Sequence, residues 1–102
     1  MIPIRYDDDA VAELEAAFGY YAERDRDLAL RFQAEVRAVE TIISETPAFY
    51  AVFEKVGDAD IRRALLDDFP FALLYLVTRD AVWMVAVMHL RRAPGYWRRR
   101  IG

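Results

Sequence analysis

The hydrophobic periodicity of this chain changes once, at Thr46-Pro47, and this change constrains the fold more than any other feature. Before it, apolar residues recur at helical spacing in two stretches, about 8–23 and about 27–45. After it, they fill strand-length stretches at 61–66, 69–77 and 81–89. Proline ends the second helix because the residue before a proline is pushed out of the right-handed helical region. The sequence therefore predicts two helices followed by a sheet.

A short strand is predicted before the first helix, because Ile2, Ile4 and Tyr6 alternate with other residues. Asp7-Asp8-Asp9 then supplies an N-cap and negative charge at the positive end of that helix. The connection between the helices is short, which favours an antiparallel helical hairpin. Residues 48–60 are predicted to be an aromatic-rich linker.

The predicted order is β-α-α-β-β-β in a single domain of residues 1–102. The fold class is α+β, with the helical hairpin packed on a mostly antiparallel sheet and followed by a basic C-terminal segment. In the stretches 71–77 and 82–88, both the odd-numbered and the even-numbered residues are mostly apolar. Since these two sets face opposite sides of a sheet, both faces must be covered. The hairpin can cover one face. The C-terminal segment, a partner, or both would cover the other.

Charge is divided unevenly along the chain, whose net charge is −3. Residues 1–60 carry six basic and fourteen acidic side chains, whereas residues 61–102 carry eight arginines and three acids. This basic part indicates either an anionic partner, which would be a phosphate backbone or an acidic protein segment, or simply a solvated arginine-rich tail. The absence of cysteine excludes thiol nucleophiles and thiolate metal sites and is compatible with a reducing cytoplasm. The chain shows no secretion signal and no membrane-length apolar run, so a cytoplasmic location without a membrane partner is expected.

The stretch Phe69–Val77, with 61–66 before it and 85–94 after it, resembles the C-terminal half of toxins of the RelE/ParE superfamily. The ending Pro94-Gly95-Tyr96-Trp97-Arg98 is similar to that of chromosomal ParE-like proteins of the plasmid stabilisation type. Upstream, Ala12-Glu13-Leu14 and Tyr20-Tyr21 are similar to the helical hairpin of the family. The resemblance implies the toxin of a type II toxin–antitoxin system, neutralised by a cognate antitoxin that adds a helix and a strand.

Two activities divide this superfamily: ParE-like members poison DNA gyrase, and RelE-like members cut messenger RNA on the ribosome. RNA cleavage needs a base, cations around the phosphate and an acid. If the chain is RelE-like, the candidate catalytic residues are His89, Arg62, Arg91 and Tyr96. Against this, Lys55 is the only lysine, and the isoelectric point of about 5.1 disfavours docking on ribosomal RNA.

We therefore favour a ParE-like toxin that arrests growth through a protein target such as DNA gyrase. The alternatives are a RelE-like ribosome-dependent mRNA endoribonuclease and a non-toxic antitoxin-binding module. No direct binding of free nucleic acid and no cofactor are expected. One histidine and no cysteine give no metal site.

The predicted partner-binding residues lie in the basic part of the chain and are Arg63, Arg92, Tyr96, Trp97, Arg98, Arg99 and Arg100. Arg62 and Arg63 are adjacent on a strand and therefore face opposite sides of the sheet. Tyr96-Trp97 is predicted to close the open face of the sheet rather than to stack on a base. Residues 98–100 are predicted to be a mobile basic end. For His89, a strand-end histidine that hydrogen-bonds the tail or an antitoxin carboxylate is the alternative to a general base.

Overall fold

Two helices pack on one face of a five-stranded sheet in the computed structural model, which describes residues 1–102. The elements in chain order are β1 (Ile4–Tyr6), α1 (Asp8–Ala22), α2 (Arg26–Glu45), β2 (Val52–Val56), β3 (Ala59–Leu65), β4 (Phe71–Val77), β5 (Val82–His89) and a 3-10 turn (Arg98–Arg100). The strand order is β1-β5-β4-β3-β2. Only β1 and β5 run parallel, so the predicted α+β class with a mostly antiparallel sheet is confirmed.

The predicted linker at 48–60 is wrong in one respect, because it contains the edge strand β2. The register of β2 against β3 shifts between Val52 and Glu54, which places Phe53 in a bulge. A bulge interrupts the alternation by which a strand is recognised in a sequence. The turn that follows uses Gly57 at φ +59°, a left-handed conformation that glycine adopts without strain. The observed order is therefore β-α-α-β-β-β-β.

Both helices begin at an aspartate whose carboxylate caps the first turn. Asp7 accepts a hydrogen bond from the backbone N–H of Asp9 at 3.0 Å, as predicted for the acidic start of α1. Asp25 does the same for α2, accepting from the N–H of Asp27 at 2.8 Å. Neither helix has the length and apolarity needed to cross a membrane.

The inner core lies between the helical hairpin and the sheet. Its centre is a group of aromatic rings on α1, on α2 and in the residues that lead into β4. Tyr21 and Phe32 lie 5.0 and 5.3 Å from Phe69 between ring centroids. These pairs are edge-to-face, the arrangement favoured by the ring quadrupoles. The buried stripe of α2 is Ala29, Phe32, Val36, Val39 and Ile43.

The outer core covers the other face of the sheet. It contains Ile61, Leu74, Val85 and Met88, and it is closed by Trp97, whose residue surface is 1% exposed. The segment after β5 therefore folds back over the sheet. Of the covers that the sequence left open, the C-terminal segment is the one observed, and the predicted closing role of Trp97 is confirmed.

The edge of β5 is covered in two ways. The three-residue strand β1 pairs only with residues Val82 to Met84. Beyond β1, the backbone N–H of Val87 donates to the Glu13 carboxylate at 3.0 Å. The carbonyl of Val85 accepts from the Arg100 guanidinium at 3.0 Å. Side chains thus satisfy edge groups that would otherwise be open for pairing with another chain.

Candidate functional site

The candidate catalytic residues His89 and Arg62 lie far apart on the sheet. His89 ends β5 opposite Phe71, whereas Arg62 on β3 lies opposite Tyr75. Phe71 and Tyr75 are four residues apart on β4, which separates the two positions by roughly 13 Å along the strand direction alone. The structure therefore does not bring these two side chains together.

Arg62 holds the connection between α2 and β2. Its guanidinium donates to the carbonyl oxygens of Tyr50 at 2.7 Å and Ala48 at 3.3 Å. The hydroxyl of Tyr75 donates to the carbonyl of Pro47 at 2.7 Å, and burial raises the pKa of this phenol. Arg62 and Tyr75 thus fix the backbone that leaves the helical hairpin.

Arg63 faces the other side of the sheet, as predicted for a residue adjacent to Arg62. Its guanidinium carbon lies 4.3 Å from the centre of the Phe53 ring. Close by, three exposed apolar side chains line a shallow pocket together with Arg63: Val52, Phe53 and Leu65. An exposed apolar surface therefore lies next to the Arg63 guanidinium at the β2 edge of the sheet.

His89 is ordered by the backbone that follows it. Its Nδ1 accepts the N–H of Arg91 at 3.1 Å, and its ring meets Phe71 edge-to-face at 5.0 Å between centroids. Because Nδ1 accepts this hydrogen bond, Nε2 is the ring nitrogen that can donate. Arg91 therefore contacts His89 through the backbone N–H of Arg91, not through the guanidinium. No three potential metal-ligating side chains lie together in the chain.

Tyr96 belongs to a group of side chains around Glu13 on α1, here named the Glu13 cluster: Glu13, Arg92, Tyr96 and Arg100. The Tyr96 hydroxyl donates to Glu13 Oε2 at 2.7 Å. Burial, and then this hydrogen bond to a carboxylate, raises the pKa of Tyr96 well above its usual range. Arg100 donates to both Glu13 oxygens, at 2.9 and 3.1 Å. Together with the Val87 N–H, Glu13 accepts four hydrogen bonds.

The prediction that residues 98–100 form a mobile basic end is wrong for two of the three arginines. Arg98 forms a two-point ion pair with Glu54, with Nη2 at 3.0 Å from Oε1. This hydrogen bonding lowers the pKa of the Glu54 carboxyl. The Arg100 side chain is only 8% exposed. Acids on α1 and β2 lie beside this segment and hold it by charge-assisted hydrogen bonds.

The seven predicted partner-binding residues therefore divide into two groups. Trp97, Arg98 and Arg100 are engaged within the chain, and the hydroxyl of Tyr96 is bound to Glu13. Arg92 and Arg99 are exposed and Arg63 is half-buried. Glu13 organises this region, yet the sequence drew attention to it only through the Ala12-Glu13-Leu14 resemblance.

A groove of about 420 Å³ opens between the two helices. Its apolar lining is Leu14, Phe18, Phe32 and Val36, and its polar lining is Glu15, Gln33, Arg37 and Glu40. A continuous apolar floor with charged margins is the shape that receives the apolar face of an amphipathic helix.

Comparison with known proteins defines the class of fold. No protein-family model and no curated protein matches the sequence. Among solved structures, a chain of the chromosomal ParDE TA system from P. aeruginosa is similar, with a TM-score of 0.73 and 15% sequence identity. The similarity covers 89% of this chain and 98% of that chain. The chain therefore shares its fold with that chain of the ParDE system, and the fold expected from the sequence resemblance is confirmed.

Proposed function

We propose that this chain is the toxin of a type II toxin–antitoxin pair. The observation that carries the proposal is the fold, which is shared with a chain of the ParDE system at a TM-score of 0.73 over 89% of the present chain. In this proposal a cognate antitoxin is the partner and suppresses the toxin by covering its surface.

The groove between α1 and α2 is the proposed antitoxin site. Leu14 and Phe18 are partly exposed there, although they also pack against the inner core. An antitoxin helix that buries these side chains gains roughly 25 cal/mol for each Å² of apolar surface removed from water. The groove margin carries Arg37 and Glu40, so a partner helix with charges of both signs fits it.

The proposed mode of action is ParE-like, by contact with a protein target such as DNA gyrase and without chemistry in the toxin itself. The geometry supports contact over ribonuclease action. Arg62 is committed to two backbone carbonyls, and the Tyr96 hydroxyl is committed to Glu13. His89 lies at a different rung of the sheet from Arg62. An acid–base mechanism needs these groups within hydrogen-bond reach of one phosphate.

The test is expression of the chain with and without its proposed antitoxin. Expressed alone, the chain is expected to arrest growth, with altered plasmid supercoiling and DNA breaks but intact transcripts. Cleaved transcripts with normal supercoiling would instead identify a ribosome-dependent endoribonuclease. Normal growth at full expression would leave only a non-toxic antitoxin-binding module.

Three variants sharpen this test. The double variant His89→Ala/Tyr96→Phe is expected to arrest growth as the parent chain does, because contact with a target needs neither group as acid or base. Gln33→Trp fills the groove from an exposed position and is expected to block neutralisation by the antitoxin while leaving the arrest intact. Ala34→Trp, at the exposed neighbouring position outside the groove, is the matched control and should still be neutralised.

A further inference from the structure

A second groove, of about 470 Å³, lies between α1 and the adjoining ends of β4 and β5 and is here named the α1–β5 groove. Its buried floor consists of Ala17, Tyr21, Phe71 and Val87. Its more exposed lining consists of Glu13, Ala16, Tyr20, Pro70, His89 and Arg92. The floor is thus hydrocarbon apart from one phenol hydroxyl, and the polar groups stand at the margin.

Arg92 is a cation at this margin whose hydrogen-bond donors are unused. The Arg92 side chain is 51% exposed, and its Nη1 forms an ion pair with Glu13 Oε2 at 3.8 Å, beyond hydrogen-bond distance. Glu13 already accepts four hydrogen bonds, which fills the acceptor sites of a carboxylate. Arg92 instead stacks on Tyr96, with its guanidinium carbon 3.9 Å from the ring centre, which leaves its N–H groups to a ligand.

His89 supplies a second donor at the same margin. Its Nδ1 accepts the N–H of Arg91, which leaves Nε2 as the ring nitrogen that can donate. An anion that reaches both Arg92 and His89 would receive charge-assisted hydrogen bonds. The margin of the α1–β5 groove is therefore suited to a carboxylate or a phosphate.

The floor decides between these two ligand classes. A nucleobase on the floor would lose water from several ring and exocyclic polar atoms and find only the Tyr21 hydroxyl there, which is costly. A phenyl ring loses no hydrogen bond when it is buried on Ala17, Phe71 and Val87. The chemistry of floor and margin together matches a hydrocarbon side chain that lies next to a carboxylate.

We propose that the α1–β5 groove binds an acidic peptide segment of a protein partner, with a phenylalanine side chain on the floor and an adjacent carboxylate on Arg92 and His89. The groove is open, since Ala16, Tyr20, Pro70 and Arg92 are all exposed. It therefore covers only one side of a ligand, whereas sites for free small molecules enclose most of the ligand surface. A peptide adds contacts from the residues on either side of its anchor. This inference does not depend on the proposed toxin activity.

The test is titration of the ¹⁵N-labelled chain with the probe acetyl-Glu-Phe-Asp amide, followed by amide chemical shifts. Shift changes are expected to concentrate at Ala16, Ala17, Phe71, Val87 and His89. Acetyl-Glu-Ala-Asp amide, which lacks the ring, and acetyl-Lys-Phe-Lys amide, which reverses the charge, are each expected to bind at least roughly tenfold more weakly. Shift changes centred on another surface would overturn the inference.

Three variants make the assignment specific. Arg92→Gln is expected to weaken the peptide roughly tenfold through loss of the charge-assisted hydrogen bond. Ala16→Leu fills the groove from an exposed helical position at which leucine is well tolerated, and it is expected to abolish binding while leaving thermal unfolding unchanged. Arg31→Gln, on the exposed surface of α2, should bind like the parent chain. Equal affinity in the parent and in Arg92→Gln would contradict the inference.

Two further probes separate the other ligand sources. Adenosine monophosphate tests a nucleotide site, and 3-phenylpropionate tests a site for a free aromatic acid. Both are expected to bind more weakly than the peptide and to leave its affinity unchanged at equal concentration. Tighter binding of either one at the same amides would refute the peptide assignment.

Discussion

Replacement of Glu13 by alanine removes the acceptor on which the Glu13 cluster depends. Three partners lose a hydrogen bond together: the Arg100 guanidinium, the Tyr96 hydroxyl and the backbone N–H of Val87. Arg100 is then left as a cation whose side chain is 8% exposed, with Asp9 at 3.6 Å from its Nε as the remaining acid. We expect this single change to release the segment that carries Trp97.

The expected cost follows from the burial of the pair. Removal of one partner from a fully buried ion pair destabilises a protein by about 3–5 kcal/mol. Glu13 keeps 14% and Arg100 8% of its side-chain surface exposed, so water relieves part of the cost and the lower end applies, about 3 kcal/mol. A domain of this size has a total stability of about 5–15 kcal/mol. The melting temperature should therefore fall by roughly 12–24 °C.

Urea unfolding followed by tryptophan fluorescence and by far-ultraviolet circular dichroism measures this effect. Trp97 is buried in the outer core, whereas Trp83 is half-buried on β5, so a Trp83→Phe background isolates the emission of Trp97. In Glu13→Ala the emission of Trp97 is expected to change at a lower urea concentration than the circular dichroism. This order would show that the segment opens before the sheet unfolds.

A double-mutant cycle with Arg100→Met isolates the ion pair. The two changes together should cost less than the sum of the single costs, with a coupling free energy of about 2 kcal/mol. Glu15→Ala, an exposed acid on the same helix, is the control and should change the unfolding free energy by less than about 0.5 kcal/mol. A Glu13→Ala variant that matches this control, with unchanged Trp97 emission, would refute the reasoning.

Two other predictions concern the connection after α2 and the tyrosines. Arg62→Met removes the donor to two backbone carbonyls, so amides 48–51 should exchange hydrogen faster at a cost of about 1–3 kcal/mol; unchanged protection in hydrogen exchange would contradict this. Tyr6 and Tyr96 have pKa values raised in the fold above the ordinary 10.0, by burial and by hydrogen bonds to carboxylates. Their contribution to stability is therefore complete below about pH 10 and is lost as the pH rises further, because the unfolded chain ionises first. Absorbance at 295 nm should show both phenols silent until alkaline unfolding, and ionisation of all tyrosines near pH 10 in the folded chain would contradict this.

The sequence carried most of the information on the fold because the fold follows from periodic burial. The helical stripe of α2 and the two-faced apolar strands β4 and β5 required a hairpin on one side of the sheet and a cover on the other. The strand β2 escaped prediction because its bulge at Phe53 breaks the alternation over only five residues. Local pattern therefore predicts long regular elements and misses short irregular ones.

The contacts of the candidate site could be predicted only in part. Arg62 and Arg63 face opposite sides of the sheet, as strand geometry predicts. The prediction that Trp97 closes the open face of the sheet is also confirmed. The bond between Glu13 and Arg100 joins residues 87 positions apart, and it depends on the side of the sheet on which α1 crosses β5. No local pattern encodes that crossing, so the arginines near the end of the chain looked free in the sequence. The hydrogen bonds from Arg62 to the carbonyls of Ala48 and Tyr50 were not predicted either, because they too depend on the tertiary fold.

The long separation between Glu13 and Arg100 also sets an order of events during synthesis. At about 5–20 residues per second, Arg100 is added roughly 4–17 s after Glu13, and Trp97 is added only shortly before it. Throughout that interval the nascent chain holds α1 without its basic partner and, once β4 and β5 exist, an outer apolar face without its indole cover. Exposed apolar surface on an unfinished chain is the state that chaperones bind and that aggregates. Premature termination between His89 and Trp97 would therefore release a product that contains every strand of the sheet and lacks the indole that covers its outer face.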